Sequence, residues 1–251
     1  VVIPTYNEKH NVLQLIPKIA KELAAAGVPA GVVVVDDNSP DGTAEIAREL
    51  SRTNDDIHVI VRPTKAGIGT AYLEGFRWAL MNKRADVLIQ MDADLSHPPT
   101  ILRELIRWVT EESFHVVIAS RYVSGGAIRG WGFTRRVASL FANLLVRSLL
   151  KLDAKDSTSG YRAISKEAAE VLLSTPLNSV GYSYQVESLY AFQLLNLRIK
   201  EIPFTFVGRQ KGQSKLSPAE IPRFLSTLLR LLIVGPKLVP RPENPQIVRR
   251  A

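Results

Sequence analysis

Five short apolar runs, Val1–Ile3, Gly31–Val35, Ile57–Val61, Val87–Met91 and Val116–Ala119, recur through the first half of the chain with intervals long enough to hold a helix. Strands joined by long crossovers pair in parallel, and a parallel sheet must be covered on both faces. The alternation therefore predicts an α/β fold, a Rossmann-like, mainly parallel sheet flanked by helices. The intervals carry helix signals of their own. After Pro98-Pro99, the residues Ile101, Leu102, Leu105, Ile106 and Val109 recur at helical spacing, and Asp41 stands as N-cap of a helix holding Ile46, Ala47 and Leu50. One core of this kind can accommodate all 251 residues. No uninterrupted apolar run reaches the roughly 18 residues of a bilayer-spanning helix. The nearest, Phe224–Val234, is broken by Ser226, Thr227 and Arg230.

Beyond Tyr122 the pattern changes. A glycine-rich stretch, residues 124–132, leads into a helical segment from Thr134 to Lys151, in which Arg135, Ser139 and Asn143 form a polar stripe and Val137, Leu140, Phe141, Leu144 and Leu145 an apolar face. A last helix has its capping signal at Ser217-Pro218-Ala219-Glu220, although Pro222 argues for a later start. Residues 236–245 are proline-rich and read as a loosely held tail. The net charge of +8 is concentrated here: from Lys200 to Ala251 there are ten Lys and Arg against three Asp and Glu. A basic segment with interleaved apolar residues suits an anionic membrane surface. Only Phe204, Phe206 and Phe224 supply aromatic rings in that stretch, so no nucleic acid is expected as partner.

Sheets of this class bind ligands at the carboxyl ends of their strands. Asp92-Ala93-Asp94 stands after one strand, and two hard oxygen donors beside a crevice suit Mg²⁺ or Mn²⁺ holding a diphosphate. Asp36-Asp37-Asn38-Ser39-Pro40-Asp41-Gly42-Thr43 follows another strand, with acids able to accept hydrogen bonds from a base or ribose, and Pro4-Thr5-Tyr6-Asn7-Glu8 follows the first. Arg121, Arg135, Arg209 and Lys215 offer cations for phosphate groups. Other devices are excluded. There is no P-loop; Gly67-Ile68-Gly69 lacks the third glycine of a dinucleotide fingerprint; His10, His58, His97 and His115 have no metal spacing; no Gly-x-Ser-x-Gly elbow occurs. Cysteine is absent, which removes disulfide frameworks and thiolate metal sites.

These motifs, together with Gly67-x-Gly69-Thr70-Ala71-Tyr72, Ser120-Arg121-Tyr122 and the Arg209–Leu216 segment ending in Ser214-Lys215-Leu216, resemble the dolichol-phosphate mannosyltransferases of inverting glycosyltransferase family 2. The resemblance runs from Val1 to about Leu232 and implies a GT-A catalytic domain over residues 1–216, with a nucleotide-sugar half to about residue 122, an acceptor half from 123, and a basic amphipathic helix and tail over 217–251. The implied reaction moves mannose from GDP-mannose to dolichyl or polyprenyl phosphate in a membrane, with Mn²⁺ or Mg²⁺ as cofactor. The resemblance assigns Pro4, Tyr6, Glu8 and Asp37 to the nucleotide, Asp92 and Asp94 to metal and diphosphate, and Arg121 to the donor phosphates. It further assigns Arg135 and Ser139 to the acceptor phosphate, Arg209 and Lys215 to a closing phosphate clamp, and Gln185 to the neighbourhood of the donor sugar. Ser96 stands where many members carry Gln as a possible third metal ligand. Asp156–Arg162 and Gly181–Glu187 also match family blocks.

The enzyme so implied works peripherally at the cytoplasmic face of a membrane, with Phe224, Leu225, Leu228 and Leu232 available to lipid and a small anchoring subunit or a transmembrane region outside this sequence as possible partners. Leu228, Leu231 and Leu232 equally suit a protein core. Two other functions remain open on the same fold: a polyprenyl-phosphate glucosyltransferase using UDP-glucose, and a non-catalytic nucleotide-sugar-binding membrane module.

Overall fold

A computed structural model describes residues 1–179, 181, 183–208 and 220–235. All five expected strands form, as β1 (Val2–Thr5), β2 (Val32–Asp36), β3 (Ile57–Val61), β4 (Val87–Gln90) and β5 (Val116–Ser120). With β7 (Arg162–Ser165) and β8 (Ile199–Pro203) they make a seven-stranded sheet in the order β3-β2-β1-β4-β7-β5-β8. Pairing is parallel except that β7 runs antiparallel to both β4 and β5. A two-stranded parallel ribbon, β6 (Ala127–Arg129) with β9 (Thr205–Val207), lies beside it.

The inner strands are buried on both faces, with β3 and β8 at the edges only partly so, and a period of two sorts side chains into two cores. Val2, Val33, Val35, Val116 and Ile118 pack with α3 (Ile68–Lys83), α5 (Phe133–Leu150), α6 (Lys166–Ser174), α7 (Ser183–Leu194) and α8 (Glu220–Val234). Ile3, Val32, Val34, Val117 and Ala119 pack with α1 (Lys9–Ala26), α2 (Thr43–Ser51) and α4 (Leu102–Thr110). Asp41 falls one position short of its expected role. Gly42, at φ 86°, is the N-cap of α2, while Asp41 accepts hydrogen bonds from the Thr43 N–H and hydroxyl and from the Lys9 N–H.

The apolar stripe of α5 lies outward. Val137, Leu140, Phe141 and Leu144 are exposed, Leu145 is half-buried, and Asn143 from the polar stripe is only 3% exposed. Asn143 Oδ1 accepts from the Ser157 N–H and hydroxyl, both at 2.8 Å, and its amide donates to the Ser139 carbonyl and Thr158 Oγ1. A fully partnered amide can be buried at little net cost, whereas no described element covers the apolar side. In α8 the outcome is divided: Leu228 and Leu231 enter the core, while Leu225 and Leu232 stay exposed.

Gly75 marks a close approach of α3 to the sheet. A Cβ there would run into Val2 and lie 3.1 Å from Val35 Cγ2, so Gly75→Leu is expected to cost about 1–3 kcal/mol. Gly132→Ala, in open space at the start of α5, should stay within about 0.5 kcal/mol. Urea titration with unchanged m-values checks both.

Candidate functional site

The carboxyl ends of β1, β2 and β4 open on a cavity of about 960 Å³, walled by Pro4, Tyr6, Glu8, Asp37, Asp92 and Asp94 among others. Which acid faces it is decided by what holds its neighbour. Asp36, fully buried, accepts from the Thr5 hydroxyl at 2.7 Å and from the Ser39 hydroxyl and N–H at 2.6 and 2.8 Å, so it ties the turn after β2 to β1. Asp37 is left at the cavity wall, where Arg62 pairs with it while also donating to Thr70 Oγ1 and the Gly67 carbonyl. Glu8 accepts from the Asn11 amide at 2.6 Å. Lys65 lies 4.2 Å above the Tyr6 ring.

Asp92 and Asp94 leave β4 on a strained turn, with Leu95 at φ 64°. That turn brings the Ser96 N–H and hydroxyl back onto Asp94 Oδ1. Ser96 is thus a brace for Asp94, fully buried and absent from the cavity wall. Asp92 accepts from the Tyr72 hydroxyl at 3.2 Å, and its N–H donates to His97 Nδ1 at 3.0 Å. Burial holds the His97 imidazole below its ordinary pKa against the opposing pull of Asp92 and Asp94, which suits Nδ1 as an acceptor. Burial, reinforced by Asp92, pushes the Tyr72 phenol well up, keeping it a donor. Among the described residues no three carboxylates or imidazoles cluster to form a protein-only cage. Two carboxylates on a roomy cavity instead fit a hard divalent ion whose remaining ligands are substrate phosphate and water.

A second group forms where β5 ends. Arg121 donates twice to Asp156, at 2.8 and 2.6 Å, and once to Thr158 Oγ1 at 2.7 Å. Burial alone would lower the Arg121 pKa, but Asp156 outweighs it and the guanidinium stays charged. Its carbon lies 5.5 Å from the Trp131 ring centre, and Arg135 covers the same ring at 4.2 Å. The Tyr122 hydroxyl donates to Ser139 Oγ at 2.8 Å. Arg121, Arg135 and Ser139 are therefore drawn together around Tyr122 and Trp131. Gln185 is 3% exposed on α7, and a Cβ at Gly160 would lie 3.1 Å from its Nε2 and 3.5 Å from Asp92 Oδ1, so it stands close to the carboxylate end of the cavity. Arg209 and Lys215 lie outside the described residues.

Several participants escaped sequence reasoning. Arg62 directly follows β3, at the kind of strand-end position where ligand-facing groups gather. Asp156 sat in a recognised block with no role attached. Lys65, Asn178, Ser179, Arg223 and Arg230 wall the cavity through folding alone, and no motif marks them.

Residues 1–173 match the family model described as Glycosyl transferase family 2. The chain is 40% identical over 222 residues to polyprenol monophosphomannose synthase of Mycolicibacterium smegmatis, spanning 88% of this chain and 82% of that one. It is 39% identical over 216 residues to undecaprenyl-phosphate mannosyltransferase of Micrococcus luteus, spanning 86% of each. In fold it resembles mannosyl-3-phosphoglycerate synthase from Rubrobacter xylanophilus, with TM-score 0.68, 19% identity, and 98% of this chain and 77% of that one covered. It also resembles glucosyl-3-phosphoglycerate synthase from Mycobacterium tuberculosis, solved with Mn²⁺, uridine diphosphate and glucosyl-3-phosphoglycerate, with TM-score 0.64, 19% identity, and 96% and 80% covered. Both are GT-A-like α/β structures and speak to fold alone.

Asp156→Asn preserves shape but leaves the Arg121 guanidinium buried without its counter-charge. Breaking such a pair is expected to cost about 3–5 kcal/mol, against about 1 kcal/mol for Thr158→Ala, which removes one neutral partner. Equal losses in denaturant titrations would show that Asp156 does not hold Arg121 in the manner described.

Proposed function

The chain belongs to glycosyl transferase family 2 and is a glycosyltransferase, and from that premise we propose that it transfers mannose from GDP-mannose to a polyprenyl phosphate, with inversion, releasing GDP. The observation that carries this reading is the placement of two unlike sites at one sheet edge. A carboxylate-walled cavity of nucleotide-sugar size lies beside a cationic cluster on α5, whose other side is a bare apolar stripe. The relatives named for polyprenol and undecaprenyl phosphate support a lipid acceptor, and an exposed apolar helix is what a membrane-held acceptor needs beside its phosphate.

In the proposed reaction Tyr6, Glu8 and Asp37 hold the nucleoside, and Asp92 and Asp94 hold Mn²⁺ or Mg²⁺. When bound, that ion would supply positive charge to the diphosphate as its bond to the sugar breaks. Tyr72 and Ser96 keep the two carboxylates oriented by donating to them. Arg135, stacked on Trp131, and Ser139 receive the acceptor phosphate, with Arg121 fixed between acceptor and donor phosphates by Asp156. An acceptor phosphate oxygen attacks the anomeric carbon, and the electron pair of the broken carbon–oxygen bond leaves with GDP. The nucleophile is already an anion at neutral pH, so no strong general base is required. Alignment and electrostatic stabilisation carry the catalysis.

Residues 1–122 handle mainly the donor and 123–216 mainly the acceptor, with Arg209 and Lys215 closing over phosphate. The enzyme works on the cytoplasmic face of a membrane. Among the described residues no helix is long and apolar enough to cross one, and a small anchoring subunit is a compatible partner.

The test is radiolabel transfer from GDP-mannose into a chloroform-soluble polyprenyl phosphate product, with UDP-glucose in parallel and with or without Mn²⁺ or Mg²⁺. Metal-dependent mannolipid is the expected result; product from UDP-glucose alone would replace the donor, and silence from both would point to a missing partner. Asp94→Ala is expected to reduce transfer at least about 10²-fold with an unchanged circular-dichroism spectrum. Arg135→Ala should raise the acceptor KM about tenfold or more while leaving the donor KM within about twofold, as loss of one charge-assisted contact implies.

A further inference from the structure

The helix α8 has three faces, separable by their spacing. Phe224, Leu228 and Leu231 turn to the core, with Leu228 and Leu231 fully buried. Arg223, Ser226, Thr227 and Arg230 turn to the 960 Å³ cavity and form part of its wall. Ile221, Leu225, Leu229 and Leu232, at intervals of four, four and three, turn to solvent at 65, 44, 61 and 43% exposure. One short helix thus has the donor cavity on one side and a bare apolar ridge on another. It packs against α5, which carries an exposed apolar stripe of its own.

A single buried carboxylate holds this wall in position. Glu187 on α7, with no exposed surface, accepts from Arg230 Nη2 at 2.5 Å and from the N–H groups of Asn178 and Ser179 at 3.2 and 2.8 Å. Asn178 and Ser179 also wall the cavity. The Ser179 and Thr227 hydroxyls, 3.4 Å apart, join the same loop to α8. Glu187 therefore ties together two walls of the cavity that are far apart in the chain.

We infer that α8 couples bilayer contact to donor binding: an anionic membrane surface takes the Ile221–Leu225–Leu229–Leu232 ridge, and seating the helix there sets Arg223 and Arg230, through Glu187, in the geometry that holds the nucleotide diphosphate. This rests on the reading of the cavity as a nucleotide-sugar site. An anionic bilayer is the occupant favoured by charge. Arg135, Arg136 and Arg223 are exposed on the two helices beside the apolar stripes, and the segment from Lys200 onward carries +7 of the net charge. Glu187 acts here as a positioning residue, since it reaches the donor only through Arg230 and the 178–179 loop.

The experiment measures GDP affinity by calorimetry with Mn²⁺ present, and UDP affinity in parallel, with and without vesicles of phosphatidylcholine containing phosphatidylglycerol, with vesicle flotation recorded on the same samples. The wild-type chain is expected to float and to bind its nucleotide about fivefold or more tightly on vesicles, the scale of ordinary coupling between two sites. Leu225→Glu with Leu229→Glu, both at exposed positions, should abolish flotation and the tightening while leaving vesicle-free affinity unchanged. Glu187→Gln should still float but lose the tightening, a split that a merely destabilised protein would not produce. No flotation, or flotation with equal affinity on and off vesicles, overturns the inference while leaving the transferase assay in detergent to stand. Tightening of UDP in place of GDP sustains the inference and overturns the donor assignment instead.

Discussion

A carboxylate delivered to the edge of a buried sheet must be hydrogen-bonded or paired, and this requirement organises the molecule around its site. Asp36 spends its oxygens on Thr5 and Ser39, which locks two strand ends together and leaves Asp37 at the cavity. Asp94 is steadied by Ser96, Asp92 by Tyr72. Asp156 takes the fork of Arg121, and Glu187 takes Arg230 with two backbone amides. For Asp37, Asp92, Asp94 and Arg230 the groups turned to the cavity rest on partners held behind them, so the site inherits its rigidity from buried polar pairs as well as from apolar packing.

The same rule explains which parts of the fold could be read from the chain. Strands β1 to β5 are legible because valine and isoleucine dominate strands of a parallel sheet covered on both faces, and His58 in β3 is too slight an interruption to hide the run. Strand β7 is not, because its first residue is Arg162, a cation with no surface exposure whose Nη atoms reach the Gln185 and Ser157 carbonyls and the Ser188 hydroxyl. Burial lowers that arginine to about 10, and only contacts made by distant residues make its position tolerable. No local pattern encodes such a partner. Arg62 was accessible to the strand-end rule, whereas Arg230 became visible only when α8 was seen against α7.

The apolar face of α5 turned outward for a related reason. Hydrophobic periodicity identifies an amphipathic helix but not which medium its apolar side meets. Asn143 decides it, since the loop at Ser157 and Thr158 supplies enough partners to bury the amide, and the helix turns that side to the protein. Ser139 and Arg135 follow on that stripe and meet Tyr122 and Trp131. The orientation that makes the cationic cluster is thus the one that bares Val137, Leu140, Phe141 and Leu144.

That link bears on how a soluble nucleotide sugar and a lipid could meet. A lipid phosphate cannot leave its bilayer far, so the groups that receive it must lie within a side chain's length of the membrane, and the same helix must satisfy both phosphate and lipid. A single helix can do so if polar groups such as Ser139 and Asn143 turn to the protein while its apolar stripe stays bare, as they do in α5. In α8 the division is threefold, with core, cavity and bare ridge on successive faces of one turn pattern. Two helices so built, packed on each other beside the carboxyl ends of the strands, set the carboxylate cavity and the Arg135 cluster next to two exposed apolar stripes. Neither helix could be inverted to hide its apolar residues without unpairing Asn143 of α5 or parting Arg230 of α8 from Glu187, so the exposed surface follows from the polar bonds that build the site.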